Sequence, residues 1–195
     1  MKMKLFLGVV ALFIASQAHA LSLSDVTFNG QVADAYTGLV SGNDSTNAAN
    51  AYFGGGFSQI VKDDNPGSGT DNGVFGGLNF TLSASKGKTG TWDLTWSGAN
   101  LPATIDFMVV LKAGSNFVGY FFDDIVLDTT SSGSGTWAIS FLTKGGQIPD
   151  LSHLSLYGRD LNSYTPPTDP VPEPATMLLF GVGLIGLAGF SRRKS

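Results

Sequence analysis

The sequence predicts an all-β chain whose exported part is a β-sandwich, jelly-roll-like, of about eight or nine short strands. Two observations predict it. Asp, Asn, Gly, Ser and Thr dominate the polar positions while Glu, Lys and Arg are scarce, so good helix formers are missing and turn formers abound. The segments between the turn formers alternate apolar and polar residues with the two-residue period of a half-buried strand. Strands that each bury one face need a second sheet to meet.

The elements follow in order. Lys2 and Lys4 form a positive n-region, and residues 5–15 form an apolar stretch of 11 residues. Ala18-His19-Ala20 has the A-x-A form of a cleavage site, so residues 1–20 read as a signal peptide cut after Ala20. Residues 21–161 are the β-domain. Within it, 39–50 reads as a long loop, with one helical turn open to residues 45–52. Residues 74–82 place Leu78, Phe80 and Leu82 on one face, and 91–96 place Trp92, Leu94 and Trp96 together. Residues 104–111 align Ile105, Phe107, Val109 and Leu111. Two short apolar runs follow at 117–122 and 125–127. Residues 135–141 align Trp137, Ile139 and Phe141, and 154–157 close the set. Gly-, Asn- and Pro-containing turns separate them. The three tryptophans fall at inward positions and read as core rather than as a sugar-stacking platform. Residues 162–171, with Pro166, Pro167 and Pro170, form an extended linker.

Residues 172–195 are a tail of a different kind. Val171-Pro172-Glu173-Pro174 leads into 175–191, which holds no charged residue, and Arg192, Arg193 and Lys194 follow. A helix over those 17 residues would reach about 25 Å, at the lower end of what spans a bilayer. The three cations place the C-terminus in the cytoplasm and all that precedes Pro172 outside the inner membrane.

These parts resemble the PEP-CTERM sorting signal of Gram-negative bacteria, which joins a Pro-Glu-Pro motif, a hydrophobic span and a terminal Arg-rich cluster. The same segment is also catalogued as the C-terminal domain of ice-binding proteins, a label that carries no activity. The resemblance implies recognition by an exosortase, cleavage near Pro172-Glu173-Pro174, and a setting of exopolysaccharide and biofilm production. The middle of the chain is similar to the β-rich domains that often precede this tail, through Gly90-Thr91-Trp92-Asp93-Leu94, Gly135-Thr136-Trp137 and the stretch from Asp150 to Tyr157. That similarity implies a sandwich and a surface protein, and no activity.

Composition bounds the exported part. Residues 21–168 carry six basic residues against thirteen aspartates, a net charge of −7. Such a domain is a poor binder of phosphate backbones, so no nucleic-acid partner is expected. The chain has no cysteine, which excludes disulfides, thiol catalysis and cysteine-ligated zinc.

Candidate chemistry is sparse. His153 is the one histidine left after signal cleavage, and a Ser-His-Asp arrangement needs a partner that sequence does not locate. Asp123, Asp124 and Asp128 bracket Ile125-Val126-Leu127, with Asp124 and Asp128 on one strand face. They are the candidate Ca²⁺ ligands, since that ion takes six to eight oxygens. The same residues equally serve as strand ends and turns, and no other cofactor is indicated. A glycosidase needs two carboxyl groups at a set separation, and the aspartates look scattered. Gly181-Val182-Gly183-Leu184-Ile185-Gly186 matches a dinucleotide fingerprint formally, but no strand precedes it and no acidic residue follows.

The expected function is that of an exported, non-catalytic surface or exopolysaccharide-matrix protein. It would be anchored in the inner membrane as a precursor, with its domain on the periplasmic side, and then processed by an exosortase. The second reading is a carbohydrate-binding module on the same sandwich, favoured if Tyr36, Tyr52 or Tyr120 lie exposed on a flat face. A polysaccharide hydrolase is the third, favoured by a cleft that holds His153 beside a carboxylate.

Overall fold

Trp92, Leu94 and Trp96 are buried while Thr91, Asp93, Thr95 and Ser97 are exposed, as the two-residue period requires. This computed structural model describes residues 20–164. Twelve strands form among them: β1 Thr27–Phe28, β2 Gln31–Val32, β3 Ala35–Tyr36, β4 Val40–Ser41, β5 Ser58–Asp63, β6 Asp71–Phe75, β7 Leu78–Ala84, β8 Thr89–Ser97, β9 Ala103–Ala113, β10 Asn116–Leu127, β11 Ser132–Ala138 and β12 His153–Ser163. One helical turn, α1, spans Thr46–Ala49 and is capped by the Ser45 hydroxyl. The chain is all-β. The predicted signal peptide, sorting motif and membrane helix lie outside the described residues, apart from Ala20, which is exposed. Among the described residues no helix is long and apolar enough to cross a membrane.

Two main sheets form, and every strand pairing in them is antiparallel. One has the order β11-β8-β7-β6; the other has the order β3-β10-β9-β12-β5, with β4 also on β10. Their facing sides bury one common core, in which Phe80, Trp92 and Leu94 of the first sheet join Phe107, Val109 and Leu156 of the second. Phe28 from the small β1–β2 hairpin stacks on Trp92 at 4.9 Å between ring centroids. Each indole N–H donates to a backbone carbonyl: Trp92 to Thr27, Trp96 to Asp128, and Trp137 to Thr91. The tryptophans are core, and they also tie neighbouring segments together.

Several predicted segments change in extent. Residues 74–82 are not one strand. Gly76 and Gly77, at φ 56° and 81°, make the tight turn between β6 and β7. The runs 117–122 and 125–127 are one strand, β10, interrupted by a bulge at Asp123-Asp124 where the pairing with β9 shifts. Asp124 sits there at φ 49°. Strand β12 runs well past Tyr157, because a second shift between Arg159 and Asn162 restores its pairing with β9. Asn162 and Ser163, read as the start of the linker, pair with Thr104 and Ala103.

Strand β9 is buried on both faces. Ile105, Phe107, Val109 and Leu111 face the common core. Met108 and Val110 face the other way, into a second apolar cluster with Ala49, Phe57, Phe117 and Tyr157. The segment 42–57, which contains α1, is therefore a strap across the outer face of the larger sheet.

Candidate functional site

The strap is held at two places by charged side chains. At the first, the buried Asp44 carboxylate lies 2.5 Å from His153 Nε2 and accepts a hydrogen bond of 2.6 Å from the Ser155 hydroxyl. His153 and Ser155 lie two residues apart on one face of β12, so the strand period aims both at the same loop residue. Burial raises the Asp44 carboxyl's proton affinity, but the hydrogen bonds from His153 and Ser155 and the charge of His153 outweigh it, and the net pKa is lowered. Tyr157 is buried beside them; burial and the Asp44 charge push its phenol pKa up. Lys112, also buried, donates to the Gly114 carbonyl at 2.5 Å, and burial lowers its pKa against the pull of Asp44.

The cluster sets His153 beside a carboxylate, but in the wrong order for acyl transfer. Asp44 stands between Ser155 and His153, so the serine hydroxyl donates to the carboxylate and not to the imidazole. Ser155 is also fully buried, out of reach of a substrate. The arrangement is suited to pinning the strap.

At the second place, Arg159 Nε donates to Asp106 at 2.9 Å, and Nη1 donates to the carbonyls of Phe53 and Gly55. Its guanidinium lies 4.6 Å from the Phe57 ring centroid and 5.1 Å from that of Phe121.

The candidate calcium ligands are not brought together. Asp123 and Asp124 form the β10 bulge, where Asp34 accepts from the Asp123 amide and Asp106 from the Asp124 amide. Asp128 lies past the end of the strand, and its carboxylate closes a turn by accepting from the Thr130 amide and hydroxyl. The bulge also overturns the expected strand alternation of these three residues. Among the described residues no group of three or more His, Asp or Glu is arranged to hold a metal ion.

The tyrosines do not make a flat platform. Tyr120 is buried, and its hydroxyl donates to Asp25 at 3.1 Å; Tyr36, partly exposed, packs at a tilt against it. The polar exposed face belongs to the smaller sheet. Register aligns Asn72, Thr81, Thr95 and Ser132 in one row across all four strands. The next row is Ser83, Asp93 and Ser134. Thr91 and Thr136 pair beyond it, and the Thr27 hydroxyl meets that of Thr136 at 2.8 Å. Two shallow depressions of about 370 and 330 Å³ lie along the β8–β11 seam, and Asp93 lines both.

Comparison with known proteins bears on the end of the chain. A family model described as the PEP-CTERM protein-sorting motif matches residues 170–194. The chain carries a PEP-CTERM protein-sorting motif. The motif implies an exported protein with an exosortase as its processing partner at the membrane. Comparison with curated proteins and with solved structures gives no match.

The motif residues Val171, Pro172, Glu173 and Pro174, and the cations Arg192, Arg193 and Lys194, lie outside the described residues, as does Ala18. Sequence reasoning missed Asp44 and Arg159. Asp44 sits in a Gly-, Ser- and Asn-rich segment that reads as solvated loop, and its partners are more than a hundred residues away. The one available signal was that His153 and Ser155 share a strand face.

Proposed function

We propose that this is an exported protein of the cell surface or extracellular matrix, cleaved by an exosortase near Pro172-Glu173-Pro174, whose β-domain has a structural or binding role without turnover. The observation that carries the reading is the sorting motif at residues 170–194, placed directly after an all-β domain. The signal-peptide pattern of residues 1–20 supports export. The uncharged stretch from 175, ended by three cations, supports a transient membrane helix with its C-terminus in the cytoplasm. The two sheets around one core fit a jelly-roll-like sandwich. A carbohydrate-binding role on the same domain is the second reading, favoured by the hydroxyl-rich exposed face of the smaller sheet.

Replacing Pro172-Glu173-Pro174 with three alanines tests the reading. Export should continue, and the protein should accumulate uncut in the inner membrane. Fractionation with mass spectrometry of the C-terminus reads the outcome. A mature C-terminus identical to that of the wild type would overturn it.

A further inference from the structure

We infer that the outer face of the β11-β8-β7-β6 sheet is a docking surface for an uncharged polysaccharide, lying across the strands. The inference rests on the surface-or-matrix reading for its setting and adds the chemical class of the partner.

Charge is the first argument. The rows of this face carry no lysine or arginine, and Asp93 is their one charge. A polyanion finds no cation there and meets a carboxylate. An apolar partner or a lipid surface finds only Val74, at the β6 edge. What remains is a neutral, heavily hydroxylated ligand.

Hydrogen-bond chemistry is the second. Ser and Thr hydroxyls and Asn amides both donate and accept, as sugar hydroxyls do. These side chains are short, so fixing them against a ligand costs little rotamer entropy compared with Lys, Arg, Gln or Glu. Asp93 is the acceptor common to both depressions, and hydrogen bonds from hydroxyls to a carboxylate are the stronger kind.

Spacing is the third. Adjacent strands lie about 4.8 Å apart, so a chain crossing them along one row meets one side chain from each strand at that interval. This is close to the length of one pyranose unit. Asn72, Thr81, Thr95 and Ser132 can then each address a successive sugar. The face stays open at β11 because its alternate positions are glycines. A Cβ on Gly135 would lie 1.9 Å from the Thr27 carbonyl oxygen and 2.4 Å from Trp92 Nε1. Only glycine lets the β1 segment pack beneath while Ser132, Ser134 and Thr136 point outward.

The test is retention of the full-length protein, in mild detergent, on insoluble polymers: cellulose, chitin, a β-1,3-glucan and starch as neutral probes, with alginate as the acidic one. At least one neutral polymer should deplete the protein from solution. The double substitution Thr95→Arg and Ser134→Arg fills both depressions with long cations and should weaken retention by about tenfold or more, with tryptophan emission unchanged to show an intact core. Asp93→Asn, which keeps the shape, should weaken it less. Absence of retention on every neutral polymer, preference for alginate, or equal retention of the double variant would each overturn the inference. So would self-association that the same substitutions abolish, which would make the face a contact between copies. Exosortase processing of the variants is followed in parallel; normal processing without retention would sink this inference and leave the proposed function standing.

Discussion

Asp44 and His153 meet at 2.5 Å, although 109 residues separate them in the chain. The contact anchors the strap to the last strand of the larger sheet, and Ser155 gives the same carboxylate a second donor. Asp44→Asn removes the charge and should cost about 1.5–3 kcal/mol at neutral pH, the range for hydrogen bonds to charged groups. The lowered folded-state pKa sets the pH dependence. The folded chain binds that proton less readily than the unfolded chain, so the stabilisation is present above the ordinary carboxyl value of 3.8 and is lost as pH falls through the lower folded value. Urea midpoints of the two proteins should differ at pH 7 and converge in acid. A gap that persists unchanged into acid would mean that the charge of Asp44 is not what stabilises.

The opposite sign is expected at Asp123. It stands exposed at the β10 bulge; local desolvation and the charges of Asp106, Asp124 and Asp34 raise its pKa. A carboxyl whose folded pKa is raised destabilises the fold once it ionises. Asp123→Asn should therefore raise the melting temperature at neutral pH. The gain should shrink as pH falls through the raised folded value, where the wild-type carboxyl takes up its proton, and be gone below 3.8. Thermal melts across that range read it, and a neutral-pH loss in the variant would refute the repulsion account.

Arg159 should prove hard to replace. Its guanidinium serves Asp106, two strap carbonyls and two aromatic faces together, which the point charge of a lysine cannot do. Arg159→Ala should cost about 2–3 kcal/mol, less than the full cost of breaking a buried pair because the side chain retains 18% exposure. Arg159→Lys should recover less than half of that loss. Amide exchange in residues 53–57 should accelerate in both variants before the sheets respond, since the strap is the element released. Uniform acceleration over the whole domain would contradict a local role.

The alternating stretches were legible because one side of each faces the common core. Trp92, Leu94 and Trp96 show the pattern in full, as do Leu78, Phe80 and Leu82. Legibility fails where a second surface covers the strand. In β9 the strap makes Met108 and Val110 as buried as their inward neighbours, so alternation alone marks only half of what is interior. It fails again at bulges. Asp123-Asp124 and Asp160-Leu161 look like chain breaks because they are partly charged and out of phase, yet pairing resumes beyond both. The hydroxyl rows were written in the sequence as scattered Ser, Thr and Asn, and register alone collects them.

By itself the sequence determined what is local or sequential: the strand period, the turn chemistry, the acidic cysteine-free character of the domain, and the sorting motif at its end. The information of that motif lies in residue order. Only the tertiary structure decided which aspartate meets His153, that Asp128 leaves Asp123 and Asp124, that Tyr120 is interior, and which polar side chains share a face. Those outcomes depend on strand order, register and bulge position, and a shift of one residue in register turns every side chain of a strand to the other face.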